Sequence, residues 1–183
     1  MKALLLTDIR HIEMRELADP VLSRSDEVLL RIEAVGVCGS DVHYYETGRI
    51  GSQVVEFPYV LGHECAAIVE KVGSAVGTLK AGQPVVVDPL IACGSCDQCR
   101  TGRINTCRNQ KFLGCPGQVP GCLCEYIVMP AECCYPTEGA ITTEQAVLCE
   151  PLAIGIYAVQ QARLQPGARI GILGAGPIGL CVL

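Results

Sequence analysis

A mostly β chain with some helix, an irregular β-barrel running into the start of an α/β unit, is the fold class that three features of this sequence predict. Short apolar runs with period-two alternation, broken repeatedly by glycine and proline, fill positions 1 to about 130. The texture then turns helical. Last comes Ala168-Arg169-Ile170-Gly171-Ile172-Leu173, which reads as a buried strand, and it leads into Gly174-Ala175-Gly176-Pro177-Ile178-Gly179.

Each element has a local reason. Val28, Leu30, Ile32 and Ala34 alternate with Leu29, Arg31 and Glu33, the pattern of a half-buried strand. Ala66–Val72 and Val85–Val87 are further strands, with Gly73-Ser74 and Gly82-Gln83-Pro84 as turns. Glu125–Val128 is another, ended by Pro130. Short strands with frequent glycine suggest the irregular barrel. Thr142 followed by Gln145 is a capping box that starts a helix near Thr143. Leu152–Arg163 is helical in pattern, and Pro166-Gly167 stops it. There is no internal repeat and no low-complexity segment.

Composition excludes several classes. The 183 residues suffice for one compact domain and part of a second, and half of them are hydrophobic. A net charge of −5 without a basic run argues against nucleic acid as a partner. No run is long and apolar enough to cross a bilayer as a helix, and Met1-Lys2-Ala3-Leu4 does not open a signal sequence. The expectation is a soluble, cytoplasmic protein with no membrane partner. Thirteen cysteines without an export signal fit reduced thiols and metal ligands. Cys65, Cys122, Cys124, Cys133, Cys134 and Cys181 are expected as small core hydrophobes. Cys115 and Cys149 stay open.

Cys93, Cys96, Cys99 and Cys107 stand apart. Four thiolates at this spacing close a tetrahedral zinc site and leave no position for substrate, so this ion folds a lobe at about residues 90–110. Chemistry needs a second centre. Cys38 and His63 offer a thiolate and an imidazole. Glu64 and Glu150 are carboxylates able to complete the set or to hold a bound water. Taken singly, His63 reads as a hydrogen-bonded core histidine and Cys38 as a buried thiol; beside a four-cysteine lobe, two zincs per chain is the better reading. Gly174, Gly176 and Gly179 match the dinucleotide fingerprint: a tight turn, close approach of backbone to a pyrophosphate, and helix–strand packing. Pro177 and Ile178 belong to the same turn. The acidic residue expected about 20 positions further on lies past Leu183.

In order along the chain stand Gly36-Val37-Cys38-Gly39-Ser40-Asp41, Gly62-His63-Glu64, the four cysteines, Glu150-Pro151-Leu152 and the glycine-rich turn. With these the sequence resembles the zinc-dependent medium-chain alcohol dehydrogenases over its whole length. Asp41-Val42-His43-Tyr44-Tyr45 with Gly48-Arg49-Ile50-Gly51 most resembles the sorbitol/xylitol (polyol) branch. The resemblance implies a GroES-like catalytic domain over residues 1–150. It implies a linking helix and the first strand-turn of a Rossmann domain over 151–183. It implies a catalytic zinc on Cys38, His63 and Glu64, with Glu150 near or alternate, and a structural zinc on Cys93, Cys96, Cys99 and Cys107. NAD or NADP, a small alcohol or polyol substrate and a homodimer or homotetramer follow from the same likeness.

In that scheme Ser40 takes the proton of the substrate hydroxyl and His43 passes it to solvent. Tyr44, Arg49 and Glu150 hydrogen-bond neighbouring hydroxyls. Arg100, Arg103 and Arg108 offset the thiolate charge. Rival readings are a threonine or butanediol dehydrogenase, and a zinc-stabilised binding module without catalysis. Three departures from the family stand out. Gly82-Gln83-Pro84-Val85 replaces Gly-Asp-Arg-Val, so Pro84 should lose or reroute a strand contact. Cys124 stands where alanine is common. Most of the cofactor domain is absent, so apolar surface around Leu152, Ile154, Ile156 and Leu180 to Leu183 should be left uncovered and favour association.

Overall fold

The computed structural model describes residues 1–138 and 141–183. In chain order the strands are β1 (Lys2–Asp8), β2 (His11–Glu16) and β3 (Glu27–Gly36), then helix α1 (Gly39–Thr47). The short strands β4 (Arg49–Ile50), β5 (Gln53–Val54) and β6 (Tyr59–Val60) precede the long β7 (Glu64–Val72). Next come β8 (Pro84–Val87), β9 (Leu90–Ile91), the short helix α2 (Asp97–Arg100), β10 (Lys111–Phe112), β11 (Tyr126–Pro130) and β12 (Cys134–Pro136). Helices α3 (Thr143–Val147), α4 (Cys149–Ala162) and α5 (Pro177–Val182) finish the chain.

One five-stranded sheet, ordered β11-β3-β7-β8-β12, carries the main core, and β2-β1-β6 forms a second sheet. Among the described residues these sheets do not close into a ring, so the barrel is irregular in the literal sense. Val28 and Leu30 from β3, Val69 from β7, Val85 from β8 and Met129 from β11 meet in the interior, as their alternation requires. Cys65, Cys122, Cys133 and Cys134 fill gaps in the same core; Cys124 is half-buried against it. Cys181 is half-buried too, on α5.

Two prolines modify the sheet. β11 ends at Pro130, as expected, with Pro130 still paired opposite Glu27. β11 is an edge strand, where a missing amide costs no ladder bond. At Pro84 the contact is rerouted: Gly82 N–H donates to the Val69 carbonyl at 2.7 Å, and Val69 N–H donates to the Gln83 carbonyl at 2.9 Å.

The helical half follows its caps. Gln145 N–H donates to Thr142 Oγ1 at 3.3 Å, and Thr142 N–H donates back to Gln145 Oε1 at 3.0 Å. The helix that starts there breaks at Leu148, because Pro151 has no amide for the Val147 carbonyl and would crowd it. The restart puts Glu150 in the first turn of α4. α5 folds back onto α4, with Gly155 so close to the Cys181 backbone that a β-carbon would overlap it. Ala168–Leu173, expected as a strand, has no strand structure and is almost wholly exposed. A buried strand needs a neighbour to take its amides and carbonyls, and among the described residues none lies beside it. Leu152, Ile154, Ile156, Leu180 and Leu183 are exposed. No helix among the described residues is long and apolar enough to cross a membrane.

Candidate metal centres and active site

The four-cysteine lobe hangs between β9 and β10. Sulfur–sulfur distances are 4.0 Å for Cys93–Cys99, 3.5 Å for Cys96–Cys99 and 3.9 Å for Cys96–Cys107. A tetrahedral zinc with bonds of about 2.3 Å holds its sulfurs about 3.8 Å apart, whereas a disulfide needs about 2.0 Å. These are thiols arranged as a cation would arrange them. Backbone amides of Ser95 and Cys96 pull Cys93 down to about 5, while loss of solvation, then Cys96 and Cys107, push Cys99 up to about 12. The lobe thus favours thiolate at some of its sulfurs more than at others, and a positive ion would favour it at all four. Arg108 senses the charge of Cys96 but makes its close side-chain contacts elsewhere. It pairs with Asp97 through Nε at 2.5 Å and a second nitrogen at 2.8 Å, and Asp97 is held at about 2. Bidentate guanidinium–carboxylate pairs are among the stronger charge-assisted contacts. Arg100 and Arg103 are exposed.

The second cluster is built by the main sheet. β3 and β7 pair antiparallel, and their last pair is Gly36 with Glu64. Cys38 thus leaves the end of β3 where His63 enters β7. Asp41, buried on α1, joins the two segments. Its Oδ2 accepts from Cys38 N–H and its Oδ1 from Gly62 N–H, both at 3.1 Å. A donor atom from each of Cys38, His63 and Glu64 lies within 4.8 Å of the others. Gly62 has φ +94°, and a β-carbon there would press on Leu123, Cys122 and Val35 at 3.1–3.3 Å. Gly114 and Gly121 in turn sit against the Gly62 and Leu61 backbone. Gly36 must lack a side chain because the Glu64 carboxylate and Val147 occupy that space. Gly39, by contrast, has open space where a β-carbon would stand.

This donor set suits zinc: sulfur, nitrogen and oxygen, with His63 and Glu64 buried, and three ligands leave one position free. Charge points the same way. Burial, then the nearby Glu64, Asp88 and Asp41, push Glu150 up to about 7. A cation would relieve that crowding of carboxylates.

Residues 24–139 match the alcohol dehydrogenase GroES-like domain family. The chain belongs to the zinc-dependent medium-chain alcohol dehydrogenases. It is 44% identical over 98% of its length to a sorbitol dehydrogenase of Bacillus subtilis, covering 50% of that protein. It is 40% identical over 96% of its length to D-xylulose reductase A of Aspergillus oryzae, covering 49% of it. Among solved structures, one assigned as a zinc-binding dehydrogenase of Sinorhizobium meliloti, bound to NADP, superposes with a TM-score of 0.85 at 33% identity, over 98% of this chain and 51% of that one. The chain spans about half the length of the curated relatives it matches.

Within this dehydrogenase domain the remaining expected residues take distinct places. Ser40 is half-buried on the first turn of α1, and His43 is exposed one turn later. Tyr44 is buried among Leu6, Val55 and Leu61, and its hydroxyl donates to Gln53 Oε1 at 2.7 Å. That makes it a core residue rather than a wall of the site. Arg49 is exposed on β4 and donates to the Gly51 carbonyl at 2.9 Å. Glu150 stands outside that cluster but lines a cavity of about 840 Å³, together with Asp88, Phe112, Tyr135 and Tyr157. Gly174 has φ +112°, and Gly179 lies against its carbonyl, so the glycine-rich segment is a tight turn into α5. Pro177 and Ile178 open that helix behind Gly176.

Two residues escaped sequence reasoning. Asp41 follows Cys38 by three positions, the spacing at which an acidic side chain returns to a helix N-cap amide, so a signal existed. Phe112, whose ring packs on His63 with centroids 5.4 Å apart at 62°, gave no local signal.

Proposed function

We propose that the whole protein is a zinc-dependent, NAD- or NADP-linked dehydrogenase that oxidises a secondary alcohol of a polyol such as sorbitol or xylitol. The observation that supports this most is the convergence of Cys38, His63 and Glu64 beside the cavity that Glu150 and Phe112 line. Zinc held by those three donors would supply a Lewis acid that acidifies a substrate hydroxyl. Cys93, Cys96, Cys99 and Cys107 would hold a second, structural zinc.

The chain's own residues have separable tasks in this reading. Ser40 relays the hydroxyl proton, taking it as it gives up its own. His43, three residues on and therefore on the same face of α1, passes it to solvent. Glu150 supplies a carboxyl at the cavity wall that accepts a hydrogen bond from a neighbouring hydroxyl. The tight turn through Gly174, Gly176, Pro177, Ile178 and Gly179 leaves open space around Gly174 and Gly176, which suits approach of a dinucleotide pyrophosphate. Residues 1–150 act as the catalytic domain and 151–183 lead into the cofactor domain. The working protein is a cytoplasmic homo-oligomer.

Substrate profiling of the whole-length protein tests this. Oxidation of sorbitol or xylitol with NAD or NADP is expected. Turnover of threonine or butanediol without polyol turnover would move it to that branch. Metal analysis tests the centres separately, with two zincs per chain expected and one per chain the mark of a non-catalytic module.

A further inference from the structure

We infer that Phe112 is a positioning residue for His63, and that through it order in the four-cysteine lobe reaches the second metal centre; this rests on the two-metal reading above. The argument starts from the imidazole. The second side-chain torsion of histidine is broad, without the deep staggered wells of aliphatic torsions, so something outside the ring must set its orientation. Asp41 does not do so. Its Oδ1 stands 3.9 Å from His63 Nδ1, beyond hydrogen-bond reach, and its bonds hold the backbone at Cys38 and Gly62 instead. The ring is met by Phe112, edge to face at 5.4 Å and 62°.

Phe112 is itself fixed from two sides. It pairs with Leu90 in the β9–β10 ladder, and the next residue, Leu113, is fully buried and donates to the Pro89 carbonyl at 3.0 Å. Gly114 then lies on the Gly62 carbonyl, one residue before His63. The β9–β10 pair is also the neck of the lobe. Cys93 follows β9 and Cys107 precedes β10, and the Cys93 amide donates to the Cys107 sulfur at 3.2 Å. An ion that draws the four sulfurs together therefore fixes the neck, the neck fixes Phe112, and Phe112 fixes the imidazole.

Cobalt(II), whose ligand-field bands report donor geometry, is the probe. The 183-residue chain is loaded with two cobalt ions and titrated with a chelator, for wild type, Phe112→Leu and Phe112→Tyr. Phe112→Leu should weaken the ion at Cys38, His63 and Glu64 by about tenfold and shift its bands, while lobe affinity changes less than about twofold. Phe112→Tyr keeps the ring, and its hydroxyl can enter the cavity that Phe112 lines, so it should restore both readouts. Wild-type affinity and bands in Phe112→Leu, failure of Phe112→Tyr to restore them, or equal weakening of both centres would each overturn the inference. A wild-type chain that takes up one ion overturns the two-metal reading, and the inference with it.

Discussion

The two metal-type clusters of this chain are opposites in construction. The lobe gathers its donors from one local segment, Cys93 to Cys107, of which only Cys107 is buried. The Cys38–His63–Glu64 cluster draws on the ends of two core strands and a helix, with His63 and Glu64 buried, and no two-residue rhythm announces it. The lobe owes its shape to its ligands, having little apolar core of its own. The second cluster owes its shape to the sheet, a buried aspartate and glycine packing. A site that must fold something can be local, whereas a site that must leave a position open needs a scaffold rigid without the ion.

The largest effect should come from the lobe. Structural zinc in small loops contributes on the order of 10 kcal/mol of binding free energy, so chelation or Cys96→Ser should loosen residues 93–107, seen as new proteolytic cleavage there. Loss of the lobe ion should also weaken the second centre, and the coupling is reciprocal, but a lesion confined to the second centre touches none of the lobe's own ligands. Asp41→Asn is such a lesion. It takes the charge from a buried acceptor of two amides, at a cost of about 1–3 kcal/mol, and should lower metal affinity at Cys38–His63–Glu64 about tenfold while lobe occupancy holds, as metal analysis would show. Gly62→Ala is expected to cost about 1–3 kcal/mol in thermal or urea unfolding, from a strained φ and a crowded β-carbon.

A subtler check uses protons. In the metal-free chain Glu150 is raised from its ordinary 4.5 to about 7. Between those values the folded chain binds a proton that the unfolded chain has released, so stability should fall as pH rises through this window. Glu150→Gln should flatten that slope in urea titrations. Smallest is Thr142→Ala, about 1 kcal/mol from loss of the capping box, with no change in metal content.

Legibility tracked locality. The capping box at Thr142, the alternation in β3 and the cysteine spacing are short-range patterns, and the structure contains the helix start, the strand and the sulfur cluster they predict. Tyr44 is a substrate contact only by family likeness; in the structure its ring packs in a small core and its hydroxyl donates to Gln53, a pairing nine residues apart that the sequence does not announce. Arg108 does sense the Cys96 charge that the sequence suggests, but its closest partner, Asp97, is brought to it by the fold of the lobe. Phe112 and Gly114 act on residues about fifty positions upstream, a separation that no window of sequence spans. Ala168–Leu173 failed in the other direction: its pattern is that of a strand, but strands are made by neighbours.

The carboxylate of Asp41 grips main-chain amides rather than the sulfur or the imidazole. Where a ligand sits is thereby uncoupled from what the ligand is. Replacing Cys38 by another donor, such as histidine or aspartate, leaves the clasp untouched, so altered metal preference is reachable by single substitutions without rebuilding the loop.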